Sequence, residues 1–220
     1  MFYAAPVPAA KDFNIVHQVS QRALGEDHGA GPSQNDPQQL IVREKIFCWS
    51  GDNFEIQTPS GGRFGNNLYI RGKGFGALVD EMVLLDGVTK EAVAVCRRKL
   101  DIFGQTFQIY SPKPLYHWQR PSGSSYMGRQ LYTFAKVERS PLTTTHKVTY
   151  DNETSASMTI TRTVVRWPKK RVVHRHGKTA AYIEGGTWTK NFNSYRVTIN
   201  PGIDPCLIVC LTAICDEMDE

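Results

Sequence analysis

The chain has 220 residues, 40% of them hydrophobic, enough to bury a core and a natural length for one domain. A formal charge of +5 is mildly basic, so it carries meaning only where the positive residues gather on one surface. Five cysteines, an odd number with no close pairing pattern, exclude a disulfide framework and point to a reducing compartment.

The opening MFYAAPVPAAKDF lacks the positive n-region and continuous apolar h-region of a secretory signal, so a cytoplasmic location is expected. The sequon at Asn152 then reads as a polar turn. Residues 1–39, with their GEDHGAGPSQNDPQQ run, are too poor in apolar side chains to offset their ordering entropy, and a flexible N-terminal tail is expected there. Residues 40–220 are expected to form a single domain.

From Leu40 onward, short runs rich in Val, Ile, Thr, Tyr and Phe recur between Gly, Pro, Asn and Asp, the spacing of an all-β sandwich or barrel. Phe54 and Ile56 share one face, as do Phe107 and Ile109, and Tyr195, Val197 and Ile199 oppose Arg196 and Thr198. With IFCWS, NLYIRG, MVLLD, AVAVCRRKL, LYTFAKVE, THKVTYD, SMTITRTVVRW, RVVHRH and TAAYIEG, the total is about twelve strands. Closure into an antiparallel β-barrel removes the two exposed edges of such a sheet, and a barrel of that width leaves a lumen to be filled.

The end of the chain suits that lumen. Asp204 is a good N-cap, Pro205 fits the first helical position, and the residues that follow are apolar on every side, which predicts a buried α-helix over Pro205–Glu217. At ~1.5 Å per residue it spans about 20 Å, short of the ~30 Å bilayer core, so no transmembrane segment is expected. Ile208, Val209 and Ile214 are β-branched, which leaves a last β-strand as the competing reading. Four acidic residues after the apolar run, Asp216, Glu217, Asp219 and Glu220, oppose the helix macrodipole; they either meet basic groups at the barrel mouth or stay solvated.

REKIFCWSGDNFEIQ, YIRGKGFG, VLLD, AVAVCRRKL and TFQIY resemble the N-terminal half of the LURP-one-related family, and YRVTINPGIDPCLIVCLTAICDEMD resembles its closing strand and core helix. FYAAPVP echoes the start of that family, which is a branch of the tubby-like superfamily and kin to the phospholipid scramblases. The resemblance implies a barrel closed around a C-terminal helix. It supplies no established enzymatic site; because tubby relatives bind phosphoinositides and scramblases act on phospholipids, it implies membrane lipid as partner. Residues 15–39, SGGRFGNN and SPKPLYHWQRPSGSSYMG look like insertions.

Residues 154–183 contain no Asp or Glu, and they carry Arg162, Arg166, Lys169, Lys170, Arg171, Arg175 and Lys178 with His174 and His176. On adjoining strands these would hold anionic phospholipid headgroups, phosphoinositide above all, each contributing roughly 1 kcal/mol near an anionic leaflet. Trp167 beside Pro168 has the amphipathic character that settles at a membrane interface, which would place the protein peripherally on the inner face of the plasma membrane. The competing readings are a solvated face and a surface for the acidic C-terminus. Arg97 and Lys99 alternate onto one face of their strand and Arg98 onto the other, so Arg97 and Lys99 are lipid candidates only if closure brings them near residues 169–175.

The same stretch, with Trp167, Tyr182 and Trp188 as stacking surfaces, would suit nucleic acid, but no helix-turn-helix, zinc finger or RNA-binding aromatic signature accompanies it. Enzyme signatures are lacking. GKGFGA is not followed by a helical period or a Lys-Ser or Lys-Thr pair, and no Gly-x-Ser-x-Gly elbow activates Ser122, Ser124 or Ser125. His174 and His176 have no Cys or carboxylate nearby in sequence to complete a metal site, and Cys206 and Cys210 read as core packing. The expected protein is non-enzymatic and needs no cofactor. A second class of function, a protein-interaction scaffold in stress or defence signalling, would recruit partners through the N-terminal tail or the Pro-rich residues 111–121.

Overall fold

The computed structural model describes residues 23–45, 53–73, 81–101, 104–139, 143–151, 153, 157–162, 170–185 and 194–219. Its strands are β1 (Gln38–Lys45), β2 (Asn53–Gln57), β3 (Tyr69–Lys73), β4 (Glu81–Leu85), β5 (Ala92–Asp101), β6 (Gly104–Ser111), β7 (Ser125–Tyr126), β8 (Arg129–Gln130), β9 (Tyr132–Arg139), β10 (Thr145–Tyr150), β11 (Met158–Arg162), β12 (Lys170–Arg175), β13 (Lys178–Gly185) and β14 (Ser194–Ile199). Twelve of them close into a barrel in the order β1-β14-β13-β12-β11-β10-β9-β6-β5-β4-β3-β2, while β7 and β8 form a separate hairpin. The seam lies between the first and last strands, with Leu40 opposite Val197 and Val42 opposite Tyr195.

Alternation decides what enters the lumen. Leu40 and Val42, Phe54 and Ile56, Met82 and Leu84, Phe107 and Ile109, and Val197 and Ile199 all point inward onto the last element, helix α1 (Pro205–Glu217). Every residue of α1 from Pro205 to Asp216 is buried, so the helical reading of the closing peptide holds and the strand reading does not. The Asp204 carboxylate caps it by accepting from the backbone N–H of Cys206 at 2.9 Å and of Leu207 at 3.3 Å. Thr212, the one hydroxyl of the helix, donates to the carbonyl of Ile208 at 2.8 Å and so needs no partner from the barrel wall.

The outer face carries a smaller cluster. Val83, Leu85, Val95 and Tyr110 are covered by Tyr126 and Leu131, which the excursion between β6 and β9 lays across them. The Pro-rich segment expected as an insertion is therefore a lid over one side of the wall, tied down where Arg71 donates to the Tyr126 hydroxyl at 3.0 Å.

The N-terminal boundary differs from expectation. Within the expected tail 1–39, residues 23–39 belong to the domain: a short 3-10 turn, Glu26–His28, sits against the barrel, and Ala23 and Ala30 are buried. Few apolar side chains are needed because polar anchors do the holding. Leu24 N–H donates to Asp204 at 2.8 Å, and His28 Nδ1 meets the fully buried Asp86 at 2.6 Å. Asp86 also accepts from Asn66 and from the N–H groups of Val88 and Thr89. Burial alone would raise its pKa, but these donors hold it well below the usual carboxylate range. Residues 1–22, the IFCWS run and the TVVRW end of the long predicted strand lie outside the described residues.

Candidate functional site

The two mouths of the barrel differ in charge. Around the mouth where α1 ends, basic residues lie at or near strand ends, Lys45 on β1, Lys73 on β3, Arg97, Arg98 and Lys99 on β5, Arg139 on β9, Arg162 on β11, and Lys170 and Arg171 on β12, interspersed with Glu81 on β4, Asp101 on β5 and Glu184 on β13. Antiparallel register carries this rim around the wall, with Lys73 opposite Glu81, Glu81 opposite Arg97, His146 opposite Arg139, and Arg162 opposite Arg171. At the other mouth the strand ends are mostly uncharged, such as Gln38, Gln57, Leu85, Ala92 and Met158, with Arg175 and Lys178 at the β12–β13 turn as exceptions.

Part of the basic rim turns inward. Arg98 is in phase with Ala94 and Cys96, Arg139 with Ala135 and Val137, Arg162 with Met158 and Ile160, and Arg171 with Val173, all lumen-facing positions. Arg171 is 1% exposed; its Nη2 donates to the Cys215 carbonyl at 3.1 Å and to Asp219 Oδ2 at 2.6 Å. Arg162 reaches the same carboxylate oxygen at 3.4 Å, Arg98 reaches Glu217 at 3.4 Å, and Arg139 donates to the Met218 carbonyl. Tyr195 donates its hydroxyl to Asp216. The acidic end of the helix therefore meets basic groups: guanidinium groups cap the last carbonyls and offset the carboxylates that oppose the macrodipole. Burial would raise Asp219, but the bond from Arg171 and the field of Arg171 and Arg162 hold its pKa below the ordinary value.

His146 completes this ring. It is 1% exposed, faces the lumen beside Val148, and has no hydrogen-bond partner on either ring nitrogen among the described residues. Burial pushes its pKa down to about 4, with Arg171, Arg139 and Arg162 acting in the same direction and Asp219 opposing. It is neutral at physiological pH.

The expected lipid residues separate into four groups. Arg166, Trp167 and Lys169 lie outside the described residues. Lys170, exposed on the basic rim, pairs with Glu184 at 2.9 Å; Lys99 is exposed on the same rim, and Arg97 beside it bonds Glu81 at 2.7 Å and the Ser125 carbonyl at 2.8 Å. Closure thus puts Arg97 and Lys99 on the mouth that Lys170 occupies. Arg175 and Lys178 are at the far end of β12 and β13, five residue steps or roughly 17 Å from Lys170, with the Arg175 guanidinium 5.8 Å from the Tyr150 ring. Arg171 is an internal strut; its place in an exposed patch is corrected by the inward phase it shares with Val173. Sequence reasoning sets Arg98 on the face opposite Arg97 and Lys99 and says nothing of Arg139 and His146; each of the three is polar at an inward position near a strand end.

A family model described as LURP-one-related matches residues 38–216. The chain belongs to the LURP-one-related family. A comparison with curated proteins finds no match. Among solved structures, an X-ray structure of a protein from Arabidopsis thaliana is similar, with 17% identity and a TM-score of 0.56 over 91% of this chain and 99% of that one. At that identity the likeness speaks for the fold alone. Among the described residues of this LURP-one-related chain, no helix is long and apolar enough to cross a membrane, and no group of three His, Cys, Asp or Glu is placed to hold a metal.

Proposed function

We propose that this LURP-one-related protein is a non-enzymatic module that docks reversibly on anionic phospholipid, phosphoinositide included, through the outer basic rim at the α1 C-terminal mouth. The observation that carries the reading is the lopsided rim itself: lysines and arginines end strand after strand at one mouth and are sparse at the other. Arg97, Lys99 and Lys170 are its described outer members, and Arg166, Trp167 and Lys169 immediately precede Lys170 in sequence. A few such charges near an anionic leaflet, at roughly 1 kcal/mol each, give attachment that salt reverses.

Vesicle sedimentation with graded phosphoinositide content tests it. The pair Lys99→Glu and Lys170→Glu is expected to lower partitioning about tenfold or more, since the two reversals remove at least 1.4 kcal/mol. Lys178→Glu, at the opposite mouth and farther away than a Debye length of ~8 Å, leaves it nearly unchanged. Equal losses from both mouths would refute the rim assignment. A second reading, recruitment of a protein partner, draws on Trp118, which is 63% exposed and stacked 4.0 Å from Tyr116 within the Pro-rich excursion. It predicts indifference to lipid and loss of a pulled-down partner on Trp118→Ala.

A further inference from the structure

The inner ring holds more donors than its own acceptors use. Asp219 Oδ2 takes both the 2.6 Å bond from Arg171 and the 3.4 Å contact from Arg162, while Arg171 Nε and Nη1 and both nitrogens of His146 are buried without a hydrogen-bond partner among the described residues. Buried donors left unpaired are costly, and natural interiors rarely keep several together. Asp219 lies two residues beyond the end of α1, its N–H bonded to the Asp216 carbonyl at 3.1 Å, and its side chain is 3% exposed. A short carboxylate reaches in between two guanidiniums and leaves Arg171 Nε and Nη1 and a neighbouring imidazole unsatisfied, where an anion with more acceptor atoms would reach them.

We propose that Arg171, Arg162 and His146 form a binding site for a phosphate-type anion, a tetrahedral group carrying close to two charges, and that Asp219 fills this site when the anion is absent. A phosphate offers the guanidinium fork of Arg171 two acceptors side by side, reaches Arg162 with a third, and leaves an oxygen for the His146 ring. Asp219, with one oxygen shared between two arginines, satisfies the ring only in part. The site is distinct from the outer rim: its groups face the lumen, whereas Lys99 and Lys170 face solvent. It follows that anion binding and membrane attachment are separable, and that the acidic tail acts as a built-in competitor.

Phosphate titration of the full chain tests this, read by the side-chain NMR signal of His146, which the His146→Gln variant identifies, at constant ionic strength against a chloride control. Inorganic phosphate is expected to shift that signal saturably. In Asp219→Asn the midpoint should fall about tenfold or more, because a competitor that fills the site nine-tenths of the time lowers apparent affinity by that factor. An unmoved His146 signal, or equal midpoints in the two proteins, overturns the proposal. Should Asp219→Asn fail to fold, Arg162→Gln in the otherwise native chain serves instead: a midpoint raised several-fold supports the site, and an unchanged one overturns it. Phosphatidylcholine vesicles doped with phosphatidylinositol bisphosphate identify the source of the phosphate. If they move the same signal, the anion arrives on a lipid; if inorganic phosphate alone moves it, the ligand is free in solution. Lys99→Glu with Lys170→Glu, which tests rim docking, is expected to leave the phosphate response of His146 intact, so failure of either reading leaves the other standing.

Discussion

Neighbouring residues of one strand are expected to respond in opposite ways to the same kind of change. Lys170→Met removes an exposed partner of Glu184 and should alter stability by less than about 0.5 kcal/mol, whereas Arg171→Met strips the counter-charge from the buried Asp219 and the donor from Cys215 and should cost about 3 kcal/mol. Urea unfolding of the two variants reads the contrast, and similar midpoints would remove Arg171 from its role as a strut. His146 adds a pH signature. Its folded pKa of about 4 lies below the ordinary histidine value of roughly 6.5, so the unfolded chain takes up the proton first as pH falls. The stability that neutral His146 provides is complete above about pH 6.5 and is lost progressively down to about pH 4, in total roughly 3 kcal/mol. The lowered Asp219 and Asp86 carboxylates lose their share only at lower pH, but Asp204, whose burial raises its carboxyl to about 6, takes up its proton first in the folded chain and so gains stability from about pH 6 down to about pH 4, opposing His146. Asp204 is common to both chains, so the stability difference between the native chain and His146→Leu isolates His146: it should shift against the native chain as pH falls from about 6.5 to about 4.5, and a difference that does not change with pH would assign the dependence to other groups.

At the scale of the element, what was legible in the sequence was whatever repeats locally. The helix could be read because cap, Pro and all-round apolarity lie within one stretch of fourteen residues, and the strands because each carries its own alternation. The sequence leaves the fate of the acidic tail open, since its partners Arg98, Arg139, Arg162 and Arg171 come from four strands far away in the chain. Residues 23–30 read as tail for the same reason: composition shows too little apolar surface, and composition does not reveal that Asp204 and Asp86 wait to accept their donors. Two substitutions test how that segment is held. Asp204→Ala deletes the helix cap and the Leu24 tie together and should cost about 1–2 kcal/mol. Gly25→Ala would bring a methyl to 2.2 Å from the Cys206 sulfur, so the segment must lift while the barrel stays closed. Hydrogen exchange should then quicken over residues 23–30 and remain slow in β5 and β14. Uniform loss of protection would mean that the segment and the barrel form one cooperative unit.

For the whole molecule, closure and filling depend on each other. A twelve-stranded wall with every edge paired still surrounds a space wider than its own side chains span, and the inward faces of that wall meet around α1. The helix in turn is apolar on every side and has no stable solvated form, so neither part is expected to persist alone. Burying some nine apolar side chains at ~1.5–3 kcal/mol each gives an upper bound of roughly 13–27 kcal/mol, beyond the ~5–15 kcal/mol net stability of an ordinary domain. A chain ending before Pro205 should therefore lose its cooperative melt and its near-UV circular dichroism, keep much of its far-UV signal, and bind a hydrophobic dye at the uncovered lumen. Leu211→Ala, which leaves the helix in place and opens only a cavity, should melt cooperatively with about 2–5 kcal/mol less stability. The comparison separates filling from mere destabilisation: a truncated chain that still melted in one sharp transition would mean the wall closes by strand pairing alone, and the helix would then be cargo of the barrel rather than its core.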